Sequence, residues 1–180
     1  LEHGKIINMD MGIIDGRRFM LCVGAGFDGA VSLEISKRRR SSGGYLGYFI
    51  PMIKTMLKYR STPLDLIIDG TSITCNLAIV GNCNYYGWIF RTTDRASSIS
   101  GHFDICAFPH GEGLFILIYS IYALFGICSH IRSIRYLEGK NIRIDSKDRP
   151  VPVQVDGDYF GTTPVNISIK PSFVPMIYLK

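Results

Sequence analysis

The sequence predicts an α+β, mainly β fold: an antiparallel two-sheet β-sandwich with two to three appended helices. Short apolar runs separated by Gly, Pro and Asp turns indicate roughly eight to ten strands. Three segments have the spacing of a helix, and they do not alternate with strands as they would around a parallel sheet. A length of 180 residues, of which 47% are hydrophobic, supports a single folded domain over residues 1–180.

Composition narrows the choice of partner and compartment. The formal net charge of +5 favours an anionic partner such as nucleic acid, a membrane surface or a phosphorylated small molecule, although a solvated basic face is the commoner explanation. The five cysteines show no CxxC or His-flanked spacing, so we expect reduced, buried thiols in a cytosolic protein.

Two Asp-Gly turns in the first half of the chain predict β-hairpins. Asp15-Gly16 and Asp69-Gly70 each lie between apolar runs, and Asp-Gly accepts the positive backbone angles of a tight hairpin turn. The expected arms of the two hairpins are residues 5–11, 18–23, 64–69 and 72–80.

Helices are predicted over residues 30–37 and 45–59. The glycine-rich corner at 24–30 lacks the spacing of a phosphate-binding loop, so we interpret its glycines as points of close backbone approach and Asp28 as a helix cap. Four consecutive cations follow at 37–40. They could bind phosphates or anionic lipid headgroups, or form a solvated loop, and the sequence favours neither alternative.

The second half of the chain contains its most apolar stretch. Residues 113–128 carry no charge but fall short of the roughly 20 residues needed to cross a bilayer, so a buried or interfacial helix is predicted. The polar loop at 91–102 is long enough to suggest a functional role. Strands are expected at 103–108, 131–144, 151–155, 165–169 and 174–179.

Residues 153–161 form the strongest candidate site, because they place two carboxylates near the tip of a predicted hairpin. Asp156 and Asp158 flank Gly157. An extended chain would direct both side chains from one face of the sheet, whereas a two-residue turn would direct them apart. The pattern alone favours a plain turn over a functional pair, because Asp-Gly also occurs in two other predicted turns.

Seven short motifs occur in the order and spacing found in one family of enzymes. They are Asp10-Met11-Gly12, Asp15-Gly16-Arg17-Arg18-Phe19, Gly26-Phe27-Asp28, Gly43-Gly44-Tyr45-Leu46-Gly47-Tyr48, Asn82 to Gly87, Gly101-His102-Phe103-Asp104 and Asp156-Gly157-Asp158. Together they resemble the C-terminal domain of bacterial diacylglycerol kinase-like lipid kinases, in the diacylglycerol and sphingosine kinase catalytic family of the NAD kinase-like superfamily. The resemblance extends over almost the whole chain.

The resemblance implies a two-domain enzyme of which this chain is the second, β-sandwich domain. The family's N-terminal domain carries a Gly-Gly-Asp-Gly-Thr nucleotide loop, and that motif does not occur in this sequence. We therefore expect residues 1–180 to be the substrate-side domain, inactive without the nucleotide-binding domain. The whole enzyme is expected to use ATP and Mg²⁺ to phosphorylate a lipid hydroxyl such as that of diacylglycerol.

The resemblance also implies roles for individual side chains. Asp158 takes the position of a family Glu, which is one methylene longer, and is expected to deprotonate or orient the lipid hydroxyl. Asp156 is expected to join the acidic cluster around magnesium. Asp28 and Asn82 are the candidate substrate-binding residues.

A structural magnesium site of the family is altered in this sequence. The corresponding positions are Ser97 and His102, as backbone carbonyl ligands, and Ser100, which stands where the family has an Asp. Serine is a poor substitute for a carboxylate ligand of a hard cation. The sequence therefore implies either a rearranged site or a divergent enzyme.

The implied partners are a lipid substrate, an anionic membrane surface and the N-terminal domain of the same chain, without nucleic acid; a homodimer is left open. The implied location is the cytoplasm, with peripheral association with the membrane. Two alternatives stand beside the lipid kinase. One is a divergent, non-catalytic lipid-binding or regulatory module, and the other is a soluble metabolite kinase of the NAD kinase group, whose polar nucleotide-binding segments are not evident.

Overall fold

Twelve strands form two sheets in the computed structural model, which describes residues 5–37, 44–85 and 89–178. The strands of the first sheet are β1 (Lys5–Ile14), β2 (Arg17–Phe19), β4 (Leu64–Ile68), β5 (Thr71–Cys75), β9 (Asn141–Asp145) and β12 (Val165–Tyr178). Those of the second sheet are β3 (Cys22–Ala25), β6 (Leu77–Gly81), β7 (Phe103–Phe108), β8 (Arg135–Gly139), β10 (Pro152–Val155) and β11 (Asp158–Thr162).

The two antiparallel sheets pack face to face around the main hydrophobic core. Their strand orders are β2-β1-β12-β9-β4-β5 and β11-β10-β3-β6-β7-β8. In β4 the residues alternate between buried and more exposed positions, as expected for a sheet with one face on the core. Phe19 of the first sheet stacks on Phe103 of the second with 5.6 Å between ring centroids. The apolar side chains between the sheets therefore hold the sandwich together.

Helices cover the outer face of the second sheet, so its central strands β3, β6 and β7 are buried along their whole length. The helices are α1 (Phe27–Ser36), α2 (Gly44–Lys58) and α3 (Gly113–Phe125), followed by a 3₁₀ turn at Cys128–His130. Phe108 of β7 packs against Tyr119 of α3 with 4.7 Å between centroids. Within the described ranges, none of the helices has both the length and the apolar character needed to span a membrane.

The predicted fold class is confirmed, but several strand boundaries differ for one reason. Three segments predicted as single strands, 18–23, 72–80 and 131–144, are each divided between the two sheets. Asn76 marks one such change, since its backbone N–H and its side-chain amide donate to carbonyls at the end of β7. An apolar pattern continues across a change of sheet, so periodicity alone does not reveal it.

Two further predictions were wrong. The segments 165–169 and 174–179, expected as separate strands, form the single strand β12, which pairs with β1 on both sides of a register shift. Asp28 does not cap α1, because the N-cap is Gly26 with φ 111° and Asp28 lies in the first helical turn. The basic run at 38–40 and the motif residues at 43 and 86–87 lie outside the described residues.

The cysteines have free thiols, as predicted. Four of them are buried and Cys83 is half-buried. Burial raises the pKa of the Cys75 and Cys128 thiols to about 12. Both thiols are therefore neutral at physiological pH and act as small apolar groups in the core.

Candidate active site

Three of the predicted functional segments lie at one end of the second sheet. Val155 of β10 lies beside Val23 of β3, and β3 in turn pairs with β6. The Asp156-Gly157 turn that follows β10 and Asn82, which follows β6, therefore share this end of the sheet. Strand β7 begins at the same end, so the loop at 97–102 that precedes it lies there as well.

The tip of the β10–β11 hairpin is a two-residue turn that directs its two acids apart. Asp156 and Gly157 have φ angles of 51° and 91°, and Val155 pairs with Asp158. The Asp156 carboxylate points toward residues 20–22. The Asp158 side chain is 83% exposed, with Oδ2 3.8 Å from Nη2 of Arg17. The turn therefore presents the Asp158 carboxylate to solvent.

The carboxylate of Asp156 accepts hydrogen bonds from three backbone N–H groups. Its Oδ2 accepts the N–H of Met20 at 2.9 Å, and its Oδ1 accepts those of Leu21 and Cys22 at 2.9 and 3.0 Å. The Asp156 N–H donates in return to the Cys22 carbonyl at 2.9 Å. These bonds give Asp156 a positioning role, since they fasten the β2–β3 connection to the hairpin tip. Its place in an acidic magnesium cluster stays a prediction.

All three Asp-Gly turns of the chain use this arrangement. Asp15 and Asp69 also have positive φ angles, of 42° and 46°. The carboxylate of Asp15 accepts the N–H of Asn166, and that of Asp69 accepts the N–H groups of Lys140 and Asn141. Each Asp also donates its own N–H to a carbonyl of the same neighbouring segment. The third turn differs from the other two in the exposed acid that follows it.

Asp28 lies beside the backbone of β3, together with the buried side-chain amide of Gln154. A Cβ at Gly24 would lie 3.0 Å from Oδ2 of Asp28 and 2.8 Å from Nε2 of Gln154, so glycine leaves room for both side chains. Gln154 is fully buried, and its Oε1 accepts the N–H of Gly157 at 2.7 Å. Strand alternation predicts an exposed Gln154, but α1 covers this face of the sheet.

Asn82 links the two sheets. Its fully buried side-chain amide donates to the carbonyls of Asp10 in β1 and of Met20, at 3.0 and 2.9 Å. Its backbone N–H donates to the Leu21 carbonyl at 2.8 Å. The side-chain amide is thus used to bind β1 and the chain between β2 and β3, and the predicted contact with substrate stays a prediction.

Asp10 belongs to the same hydrogen-bonded network, although it was not among the predicted site residues. It is only 1% exposed, and its carboxylate accepts the N–H groups of Gly101 at 2.6 Å and Ser172 at 2.8 Å. Its own N–H donates to the Ser98 carbonyl at 2.6 Å. A carboxylate inside an otherwise apolar strand is the sequence signal that could have identified it.

The loop at 97–102 is closed by a serine hydroxyl. Ser100 Oγ lies 2.8 Å from the carbonyl oxygen of Ser97 and 2.9 Å from that of His102. Among the described residues there is no group of three or more His, Cys, Asp or Glu side chains placed to hold a metal. The oxygens that converge in this loop are all neutral, so they do not fit the magnesium ion implied by the resemblance.

Asp104 lies behind this loop, at the start of β7, and is 2% exposed. Burial raises the pKa of its carboxyl group above the usual value of 3.8, while a hydrogen bond with Tyr136 acts in the opposite direction. The Tyr136 hydroxyl also accepts the N–H of Arg95 at 3.0 Å. These contacts make Asp104 part of the support of the polar loop.

Comparisons with known proteins give one consistent result. Residues 21–178 match the family described as the YegS C-terminal NAD kinase β-sandwich-like domain. A "putative diacylglycerol kinase" from Bacillus anthracis strain Sterne is similar in structure, with a TM-score of 0.73 and 21% sequence identity. A second structure of that description from the same organism gives a TM-score of 0.70 and 22% identity. No curated protein matches the sequence.

The chain corresponds to part of these relatives. It is covered to 97% in both comparisons, but it spans only 57% and 58% of the two Bacillus anthracis chains. At 21% and 22% identity the structural likeness shows the fold alone. The match of residues 21–178 to the family model shows that the sequence belongs to that family.

Proposed function

Because the chain belongs to the family of YegS C-terminal, NAD kinase β-sandwich-like domains, we propose that it forms the substrate side of a lipid kinase. The reaction proposed is phosphate transfer from ATP, as its magnesium complex, to a lipid hydroxyl. The names of the similar structures support a hydroxyl like that of diacylglycerol. The observation that carries the proposal is the exposed Asp158 carboxylate on a hairpin tip held by backbone hydrogen bonds.

Asp158 has the chemistry and the accessibility of a general base. Its carboxylate would accept the proton of the lipid hydroxyl at a distance of about 2.6–3.2 Å. The hydroxyl oxygen then forms a bond to the γ-phosphorus of ATP, the bond from that phosphorus to the bridging oxygen breaks, and ADP leaves. The three backbone hydrogen bonds of Asp156 support this role, because they hold the hairpin tip in place and precise placement of a base contributes directly to the rate.

Asp158 can be tested in the whole protein that contains this chain. Transfer of radiolabelled phosphate from ATP to diacylglycerol in mixed micelles should fall by about 10²–10⁴-fold in Asp158→Asn. Asp158→Glu, which keeps the carboxylate, should retain activity. Asp148→Asn, which removes an exposed acid elsewhere, is the matched control. Unchanged transfer by Asp158→Asn would remove Asp158 from the mechanism.

The exposed apolar side chains of helix α3 favour a function at a membrane surface, where a lipid substrate lies. One face packs on the second sheet through Ile116, Tyr119 and Ala123. The rest of the helix exposes large apolar side chains, namely Leu114, Phe115, Leu117, Ile121, Leu124 and Phe125. An exposed apolar patch of this kind commonly marks an interaction site, and an uncharged short helix suits the interface of a bilayer. We therefore propose peripheral association with an anionic membrane, through α3 and the cations at 37–40.

Sedimentation with vesicles tests the membrane contact. The whole protein should bind phosphatidylglycerol vesicles, and Leu117→Gln combined with Leu124→Gln should reduce binding because it removes two large apolar groups from α3. Ile67→Gln is the control, since Ile67 is also partly exposed but lies on the first sheet, away from the helices. Equal binding by wild type and the double variant, or unchanged binding after charge reversal at 38–40, would contradict the proposal.

A non-catalytic lipid-binding module is the second candidate, and the neutral loop around Ser100 favours it. In that case the whole protein would bind vesicles through α3 without transferring phosphate to any lipid tested. The two assays together therefore separate the candidates.

A further inference from the structure

The loop at 97–102 contains two backbone carbonyls that point toward the same place. The carbonyl oxygens of Ser97 and His102 both lie within hydrogen-bonding distance of Ser100 Oγ, at 2.8 and 2.9 Å. Two such oxygens repel one another unless a positive group lies between them. A hydroxyl proton or a bound cation can supply that positive charge. The proton needs only a hydroxyl group between the carbonyls, whereas a hard cation favours carboxylate ligands beside them.

The buried residue Asp10 also holds the 97–102 loop. Gly101, with φ 75°, donates its N–H to the buried carboxylate of Asp10 at 2.6 Å. The Asp10 N–H donates to the Ser98 carbonyl, also at 2.6 Å. The Asp10 carboxylate accepts a second N–H from Ser172 at 2.8 Å, so each of its oxygens has a backbone donor. This negative charge is therefore used in hydrogen bonds to the backbone N–H groups of Gly101 and Ser172.

We propose that the Ser100 hydroxyl performs the work of a divalent cation in this chain, closing the 97–102 loop without metal. The hydroxyl shares its single proton between the two converging carbonyls, and the Ser100 N–H adds a bond to the Ser97 carbonyl at 3.0 Å. A magnesium ion at this place would have only neutral oxygens as protein ligands, which are weak partners for a hard cation that must lose water to bind. The stability of the domain is therefore independent of Mg²⁺.

The converse follows from the same geometry. Replacing Ser100 by Asp would put a carboxylate next to two converging carbonyls, which is the oxygen-rich, negatively charged set that Mg²⁺ and Ca²⁺ favour. Without cation the new charge would repel the carbonyls and destabilise the loop. With cation the same three oxygens would bind it.

Thermal unfolding of the purified protein, with EDTA or with increasing MgCl₂, tests this proposal. Wild type should have the same Tm under both conditions. Ser100→Ala should lower the Tm by about 2–4 °C whether or not Mg²⁺ is present, because it loses the hydroxyl bonds. Ser100→Asp should have a low Tm in EDTA and recover as Mg²⁺ is added. Ser97→Asp, which adds the same charge at a residue that contributes a backbone carbonyl, should show no recovery.

Two outcomes would overturn the proposal. The first is a wild-type Tm that rises with Mg²⁺ and loses this response in Ser100→Ala, because the hydroxyl would then be a metal ligand. The second is a Ser100→Asp variant that does not respond to Mg²⁺, because the carbonyls would then not form a cation-type loop. Titration calorimetry with MgCl₂ gives an independent readout for wild type and Ser100→Asp. Neither measurement involves phosphate transfer, so failure of the proposed kinase activity would leave this test intact.

Discussion

The hairpin tip contains two aspartates whose substitution is expected to change the stability of the domain by very different amounts. Asp156 accepts three backbone N–H groups, whereas Asp158 is exposed and has one distant cation, Arg17, at 3.8 Å. We expect Asp156→Ala to lower stability strongly and Asp158→Ala to leave it almost unchanged. A loss of phosphate transfer in an Asp158 variant would then report on chemistry rather than on folding.

The size of the Asp156 effect follows from its three hydrogen bonds. Hydrogen bonds to charged groups contribute about 1.5–3 kcal/mol each when buried, and less where water replaces the lost partner. The bonds to Met20 and Leu21 are exposed and the bond to Cys22 is partly buried, so a total of about 2–3 kcal/mol is expected. Asp156→Asn tolerates the positive φ and keeps an acceptor for Leu21 and Cys22, so it should cost about 1 kcal/mol. Asp158→Ala should lie within about 0.5 kcal/mol of wild type, as for other exposed ion pairs.

Urea unfolding followed by far-UV circular dichroism measures these differences. Asp69→Ala provides an internal comparison, because Asp69 accepts backbone N–H groups in an equivalent turn and should cost a similar amount. Equal free energies of unfolding for Asp156→Ala and Asp158→Ala would contradict the positioning role of Asp156. A free energy of unfolding for Asp156→Ala within about 0.5 kcal/mol of wild type would contradict it as well.

Two further predictions concern the packing of α1 and the behaviour at acid pH. A Cβ at Gly29 would lie 2.1 Å from the Pro152 carbonyl oxygen, so Gly29→Ala should lower the free energy of unfolding by about 3 kcal/mol. Gly161→Ala, which meets no atom within 4 Å, should change it by less than about 0.5 kcal/mol, and equal effects in urea would contradict this account. The Lys140 and Asn141 N–H groups lower the pKa of Asp69 below 3.8, so its contribution is complete above that pH and is lost as pH falls through the lower value in the folded protein. Asp69→Asn should therefore flatten the decline of the urea midpoint below pH 3.8, and an unchanged slope would contradict the assignment.

Periodicity and turn chemistry were sufficient to predict the helices, most of the strand-forming segments and the fold class. Each of the three Asp-Gly pairs between apolar runs forms a tight turn, and β7 has the predicted bounds. The change of sheet at Asn76 was missed, because strand-forming residues continue on both sides of it and no Gly or Pro separates β5 from β6. The buried position of Gln154 was missed for a related reason, since strand alternation cannot show that a helix covers the other face.

For the candidate site, the sequence by itself determined which polar residues to consider and, through its ordered motifs, the family to which the chain belongs. The tertiary structure alone decided how the carboxylates are used. Asp156 binds a segment more than 130 residues away in sequence, and Asp10 binds a loop about 90 residues away. Whether a carboxylate is free depends on which backbone N–H groups face it, and contacts between distant segments decide that. Asp158 is exposed because no such N–H group of the described residues faces it, whereas Ser100 closes its loop through the carbonyls of residues three and two positions away.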